Sequence, residues 1–306
     1  MNCIVVCGPT VSGKTRLAVQ IADLMNGEII SADSRQVYRG MDIGTGKDLH
    51  EYANDGKSIP YHLIDIVDPS QIYTLYDYQR DFYKTFQDVT SRGRLPIAAG
   101  GTGLYIEAVL KGYRIAPVPE DIEFRKLLMA EPYEKLLRML ENENPQLLAK
   151  TDISTKKRIV RALEISRSGF DVCCDENDGN ENAPDFPQIT PLILYLVWDR
   201  AILRKRIEKR LNERLENGMI DEVAKLLESG ISIDRLDLFG MEYKHIARYL
   251  TKKVSYELMV SELLQDIFHL AKRQDTWFRG MERRGMEVHQ VQTADFEEAA
   301  RIIKNS

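Results

Sequence analysis

The segment Gly8-Pro9-Thr10-Val11-Ser12-Gly13-Lys14-Thr15 fits the phosphate-binding pattern G-x-x-x-x-G-K-[ST] at every fixed position. Glycines let the backbone wrap an anion, and the amides that open the following helix point at it. Lys14 adds a fixed cation, and the Thr15 hydroxyl is suited to Mg²⁺. Context opposes a chance match. The apolar run Cys3-Ile4-Val5-Val6-Cys7 reads as a buried strand, and Leu17, Ile21 and Leu24 then mark one face of a helix that stops near Gly27. The chemistry is therefore binding of a di- or triphosphate. The loop does not say which one, or what is done with it.

Three further segments carry candidate groups. In Ser31-Ala32-Asp33-Ser34-Arg35-Gln36-Val37-Tyr38 a carboxylate follows an apolar run. Beside bound phosphates Asp33 can be a magnesium ligand or a general base. Equally, Asp33 or Ser34 can cap a helix. His62-Leu63-Ile64-Asp65 ends an apolar run in a carboxylate, as in the magnesium-binding strand of nucleotide hydrolases. Asp65 can also simply cap a turn. In Gly100-Gly101-Thr102-Gly103-Leu104-Tyr105 the glycines permit close backbone approach, and Thr102 can donate to an oxyanion.

The elements around these groups alternate. Residues 28–32, 62–67 and 95–99 read as strands after the first, and 75–92 reads as a helix. This pattern predicts an α/β fold, a P-loop parallel sheet flanked by helices, with its ligands at the strands' carboxyl edge. Beyond Tyr113 the pattern changes. Pro117 and Pro119 interrupt the chain, and 121–169 reads as helical. Residues 170–187 are polar and acidic and read as a surface loop. Strand character resumes at 192–198, and 287–291 reads as an edge strand. The expected organisation is a core of 1–115 and 189–306 with a helical insertion at 116–188. A long helix over 256–279 carries Val260, Leu263, Leu264, Ile267, Phe268 and Ala271 on one face, as core packing requires.

Composition narrows the partners. The chain has 306 residues, 43% of them hydrophobic, and a net charge of −5. No apolar stretch is long enough to span a membrane, and because the first strand begins at once no secretory leader is expected. Cys3 and Cys7 read as small buried hydrophobes. Cys173 and Cys174 have no companions at zinc-ligand spacing. A reduced, cytoplasmic, monomeric protein without a structural metal is expected. Against the acidic balance stand three basic clusters: Lys156, Lys157, Arg158, Arg161 and Arg167; residues 200–214; and Lys272, Arg273, Arg279, Arg283 and Arg284. Each can be a solvated helix face, and together they leave room for a phosphate-rich partner.

Taken in order, GPTVSGKT (8–15), GEIISADSRQVYRGMDIGTGK (27–47), HLIDI (62–66), GGTGLY (100–105), RALEI (161–165) and KRQDTWFR (272–279) resemble the tRNA dimethylallyltransferase (tRNA isopentenyltransferase) family over nearly the whole chain. The resemblance implies transfer of a dimethylallyl group from dimethylallyl diphosphate to the exocyclic amine of the adenine beside a tRNA anticodon. By the same resemblance Asp33 is the general base, and Thr102 bonds the oxygen bridging carbon and phosphorus. Gly8, Pro9, Thr10, Val11, Ser12, Gly13, Lys14, Thr15 and Arg210 hold the diphosphate, with Mg²⁺. Asp33, Ser34, Arg35, Gln36, Arg158, Arg161, Lys272, Arg273 and Gln274 match segments that touch tRNA, and the insertion grips the anticodon stem-loop.

Two segments depart from the family's pattern. Ile267, Phe268 and His269 replace a common Thr-Arg-Gln triplet, and Gly240-Met241-Glu242-Tyr243 stands where Gly-Tyr-Arg or Gly-Tyr-Lys is usual. Both bear on tRNA choice or the strength of tRNA binding rather than on diphosphate chemistry. Two other readings use the same loop. An adenylate isopentenyltransferase alkylates free AMP, ADP or ATP but needs neither the insertion nor KRQDTWFR. A small-molecule kinase or nucleotide switch would take Asp65 as its magnesium ligand.

Overall fold

A computed structural model describes residues 1–170 and 186–306. Cys173, Cys174 and most of the acidic segment lie outside the described residues. The chain divides into two compact units, Met1–Lys111 with Pro187–Ser306, and Gly112–Phe186.

The described strands are β1 (Cys3–Cys7), β2 (Gly27–Ser31), β3 (Ala53–Asn54), β4 (Lys57–Ser58), β5 (Tyr61–His62), β6 (Leu95–Gly100), β7 (Pro191–Val197) and β8 (Val288–Gln292). β3 and β4 form a small antiparallel hairpin that hydrophobic patterning gives no sign of. The other six make one sheet in the order β5-β2-β6-β1-β7-β8, parallel at every pairing. Every strand therefore ends at the same edge. Ile4, Val6, Ile29, Ile97, Leu192, Leu194 and Leu196 project to one face, two residues apart along each strand. They pack on Leu17 and Ile21 of the helix Lys14–Met25 and on Ile303 of the helix Phe296–Lys304. On the other face Tyr195 of β7 meets Phe278 of the helix Tyr256–Arg283, ring centroids 5.8 Å apart. Burial on both faces explains why β1 and β7 are almost continuously apolar.

The expected strand over 62–67 is corrected. Pairing with β2 ends at His62. Leu63 and Asp65 then take left-handed backbone angles, φ +61° and +56°, which no strand can accommodate. The long helix runs four residues beyond the expected end, to Arg283, with Leu263, Ile267 and Ala271 in a second core cluster.

The unit Gly112–Phe186 is helical throughout its described elements: Ile122–Ala130, Tyr133–Glu143, Pro145–Lys150 and Lys156–Arg167. Its own core comprises Leu128, Leu136, Leu140, Leu147, Ile159, Val160 and Leu163.

Candidate active site

Strand order assembles the site. Asp33 follows β2, Thr102 follows β6 and the phosphate loop follows β1, and these three strands are consecutive in the sheet. Residues far apart in sequence thus leave the sheet side by side. They meet in a cleft of ≈ 500 Å³ lined by Thr10, Lys14, Asp33, Thr102, Arg210 and Arg273, among others.

The phosphate loop ends at Gly13, whose φ of +88° opens the helix without a side-chain cap. The first turn carries no acidic residue, so nothing from the helix itself competes with a bound anion for its amides. The Lys14 ammonium donates to the Pro9 carbonyl at 2.7 Å. Burial pulls its pKa down to about 8, while Asp33 raises it and Arg210 lowers it further. Such a lysine has strong reason to accept an anionic partner. Trp198 Nε1 donates to the Ser12 carbonyl at 3.0 Å and Arg206 Nε to the Val11 carbonyl at 3.2 Å, bracing the loop from the helix Arg200–Glu216 and its approach.

From that helix Arg210 reaches the cleft. Its guanidinium pairs with Asp48 at 2.5 Å, and Arg214 stands 3.5 Å from the same carboxylate. Burial, then Arg210, lowers Arg214 to about 10, so it remains cationic near neutral pH. Two guanidiniums share one carboxylate on the flank of a cleft that already holds Lys14. The net local charge suits a polyanion.

Neither Asp33 nor Ser34 caps a helix. Asp33 Oδ1 accepts from the Arg35 amide at 2.9 Å, closing a turn that faces the carboxylate into the cleft. The Ser34 amide donates to Thr102 Oγ1 at 3.1 Å. Arg35 is held by the Leu238 carbonyl at 2.5 Å. Gln36 accepts from the Ser31 hydroxyl at 3.1 Å and donates to the Gly46 carbonyl at 3.0 Å.

Asp65 is used elsewhere. The Lys47 ammonium, 1% exposed, is ion-paired with Asp65 and with Asp42 at 2.6 Å, and donates to the Tyr38 carbonyl at 2.7 Å. Asp65 is not among the residues that line the cleft. This removes the magnesium ligand that the kinase reading requires.

The remaining expected residues fall in three places. Arg273 and Gln274 line the cleft. Gln274 accepts from the Thr10 amide at 2.8 Å and donates to the Gly101 carbonyl at 2.9 Å. Lys272 lines a separate groove with Trp198, Arg204 and Phe268. In the helical unit, Arg158 is ion-paired with Asp152, and Arg161 bonds Glu164 at 3.1 Å and the Val118 carbonyl at 2.7 Å. The divergent segments are also placed. Ile267 is core, Phe268 lies under Arg204 at 4.1 Å, and His269 stands 3.9 Å from Asp266. Met241, Glu242 and Tyr243 line the cleft, where burial raises the Glu242 carboxyl above its ordinary range.

Sequence reasoning missed Glu222. Its carboxylate accepts from the amides of Asp42, Ile43 and Gly44 at 2.8, 2.7 and 3.0 Å, and from the Tyr243 hydroxyl at 2.8 Å. It fixes the loop that carries Gly44 and Thr45 into the cleft wall.

Among the described residues no cluster of three or more His, Cys, Asp or Glu could cage an ion. Mg²⁺ in phosphate sites needs little from protein, since it keeps waters and takes substrate oxygens. Thr15, in the first turn of the helix Lys14–Met25, is not among the residues that line the cleft, but a hydroxyl there with the cleft's Asp33 carboxylate suits that sparse donor set.

A parallel sheet covered by helices on both faces, with a phosphate-loop motif after β1, a carboxylate after β2 and a glycine-flanked hydroxyl after β6, defines a P-loop α/β protein. Comparison with known proteins narrows this. The IPP transferase family matches residues 36–281, and the Isopentenyl transferase family matches residues 1–59. The chain belongs to the IPP transferase family. It is 49% identical to tRNA dimethylallyltransferase 1 of Syntrophus aciditrophicus, covering 100% of this chain and 98% of that one. It is 46% identical to tRNA dimethylallyltransferase 2 of Bacteroides fragilis, covering 98% and 96%. The crystal structure of the Bacillus halodurans tRNA isopentenylpyrophosphate transferase matches with TM-score 0.69 and 32% identity, over 99% of this chain and 94% of that one. A eukaryotic dimethylallyltransferase acting on tRNA shares the fold, with TM-score 0.77 at 23% identity, over 100% and 77%.

Proposed function

We propose that the protein transfers the dimethylallyl group of dimethylallyl diphosphate to the exocyclic amine of the adenine adjacent to a tRNA anticodon. The observation that carries this reading is the single cleft holding Lys14, Arg210, Thr102 and Asp33. An allylic diphosphate ionises when charge on the departing oxygens is neutralised. The loop amides, Lys14 and Arg210 supply that neutralisation, and Thr102 donates to the oxygen that bridges carbon and phosphorus. The carbon–oxygen bond breaks, diphosphate stays in the loop, and the amine nitrogen bonds the allylic carbon. The amine is a poor nucleophile because its lone pair is delocalised into the ring. Asp33 accepts the proton it sheds. Thr15 would help hold Mg²⁺, which would supply further charge neutralisation on the diphosphate.

To reach Asp33 the adenine must leave its stack, at a cost of a few kcal/mol. Ser34, Arg35 and Arg273 line the cleft where this chemistry would take place, Gln36 stands next to them in sequence, and Lys272 lines a neighbouring basic groove. The helical unit, with Arg158 and Arg161, serves the anticodon stem-loop in this reading. A monomeric state and a cytoplasmic location belong to the same proposal. Among the described residues no helix is long and apolar enough to cross a membrane.

Competition for the loop tests the reading. Dimethylallyl diphosphate should displace bound pyrophosphate far better than ATP does, and AMP, ADP and ATP should not serve as prenyl acceptors. Tight ATP binding with coupled hydrolysis would overturn it.

A further inference from the structure

Gln274 sits on the helix Tyr256–Arg283, between the two glycine-rich loops of the site. Its carbonyl oxygen accepts from the Thr10 amide at 2.8 Å, and its amide nitrogen donates to the Gly101 carbonyl at 2.9 Å. One bond reaches across 264 residues of sequence and the other across 173. Both loops line the same cleft, one carrying Lys14 and the other Thr102. The approach is close. A Cβ on Gly101 would stand 2.5 Å from Gln274 Nε2, so glycine is what admits the amide there.

We propose that Gln274 is a positioning residue for the transfer, setting the phosphate loop against the Gly100–Gly103 loop so that Lys14 and Thr102 engage the same diphosphate. The segment resemblance would instead make it a tRNA contact. A side-chain amide meets both demands, because it accepts from an N–H at its oxygen and donates to a C=O at its nitrogen. A carboxylate can accept from Thr10 but repels the Gly101 oxygen. An alanine leaves both backbone groups without this partner. Misplacing the two loops by a fraction of an ångström separates leaving-group neutralisation from donation to the bridging oxygen, and reaction rate is sensitive to such shifts. The Arg273 side chain, one residue away on the helix, faces the same cleft, so the helix is a strut shared by the diphosphate and acceptor sides.

The proposal rests on the transfer reaction proposed above. Its test is therefore a set of variants, read only once the wild-type protein has prenylated tRNA. Gln274→Ala should lower kcat/KM for dimethylallyl diphosphate at saturating tRNA by roughly tenfold or more, the scale of two lost hydrogen bonds. The tRNA dissociation constant should stay within about twofold. Gln274→Glu should be equally impaired at neutral pH and should recover relative to wild type as pH falls, because a protonated carboxyl again offers one donor and one acceptor. Gly101→Ala attacks the same contact from the other side, so adding it to Gln274→Ala should cost much less than the two single losses combined. The proposal is overturned if Gln274→Ala weakens tRNA binding and leaves diphosphate kinetics intact. It is also overturned if Gln274→Glu matches wild type at neutral pH, or if the two losses are fully additive. A general loss of fold would lower both affinities together and give no acid-side recovery in Gln274→Glu, which contradicts the proposal as well.

Discussion

The Ser34 amide donates to the Thr102 hydroxyl oxygen at 3.1 Å, linking the residue after Asp33 to the turn that follows β6. A hydroxyl that accepts from a backbone amide is rotationally fixed and is more polarised as a donor. Its nearest protein acceptor, Ser34 Oγ, is 3.5 Å away, a weak contact that a diphosphate oxygen can displace. The residues proposed as base and leaving-group donor are therefore linked through one bond.

Thr102→Ala should cost about 2–4 kcal/mol of transition-state stabilisation, the range for a single oxyanion donor. Thr102→Ser should retain most of the rate. Single-turnover rates with saturating substrates make the comparison, and an unchanged rate in Thr102→Ala contradicts the role.

Asp33→Ala should slow transfer by roughly 10²–10⁴, as for other acid–base groups. Diphosphate affinity should change little, because the loop and Lys14 carry it. A variant with half the wild-type turnover would exclude Asp33 as the base.

Lys14 gives a pH signature. Its pKa in the free protein is about 8, and a bound diphosphate raises it. Below pH 8 the ammonium is charged before and after binding, so affinity does not depend on its titration. Above pH 8 binding must take up a proton, and affinity falls by up to tenfold per unit until the raised pKa is reached. Lys14→Arg keeps its charge throughout and should lack this fall. Calorimetric titration with pyrophosphate in both proteins isolates the effect from the ligand's own ionisation. Parallel profiles would contradict it.

Glu222→Gln should lower stability by about 2–4 kcal/mol, since a carboxylate that accepts from three amides and a tyrosine hydroxyl is replaced by a group that presents N–H to some of them. The urea midpoint of unfolding measures this. An unchanged midpoint would show that the loop at 42–44 does not depend on the carboxylate.

What could be read from the chain follows from distance. The phosphate loop, Asp33 and Thr102 each sit just after an apolar run, and a parallel sheet sends all such exits to one edge. Local pattern therefore located them. Leu63 and Asp65 defeated it, because an apolar run ending in Asp does not reveal left-handed backbone. Lys47 then claims Asp65 in a pairing that no spacing rule anticipates. Glu222, and the bonds that tie Gln274 to both loops, were hidden for the same reason on a larger scale, since the backbone groups they bond lie more than 170 residues away. Arg158 and Arg161 looked like available cations and are bonded within their own unit.

The central claim is tested most directly by incubating the purified protein with dimethylallyl diphosphate, Mg²⁺ and unmodified tRNA, without ATP, and digesting the tRNA to nucleosides. The account predicts prenylated adenosine from the position beside the anticodon, one pyrophosphate released for each, and none with Asp33→Ala on the same timescale. Unmodified adenosine in the digest, together with prenylation of free AMP or a requirement for ATP hydrolysis, would contradict it.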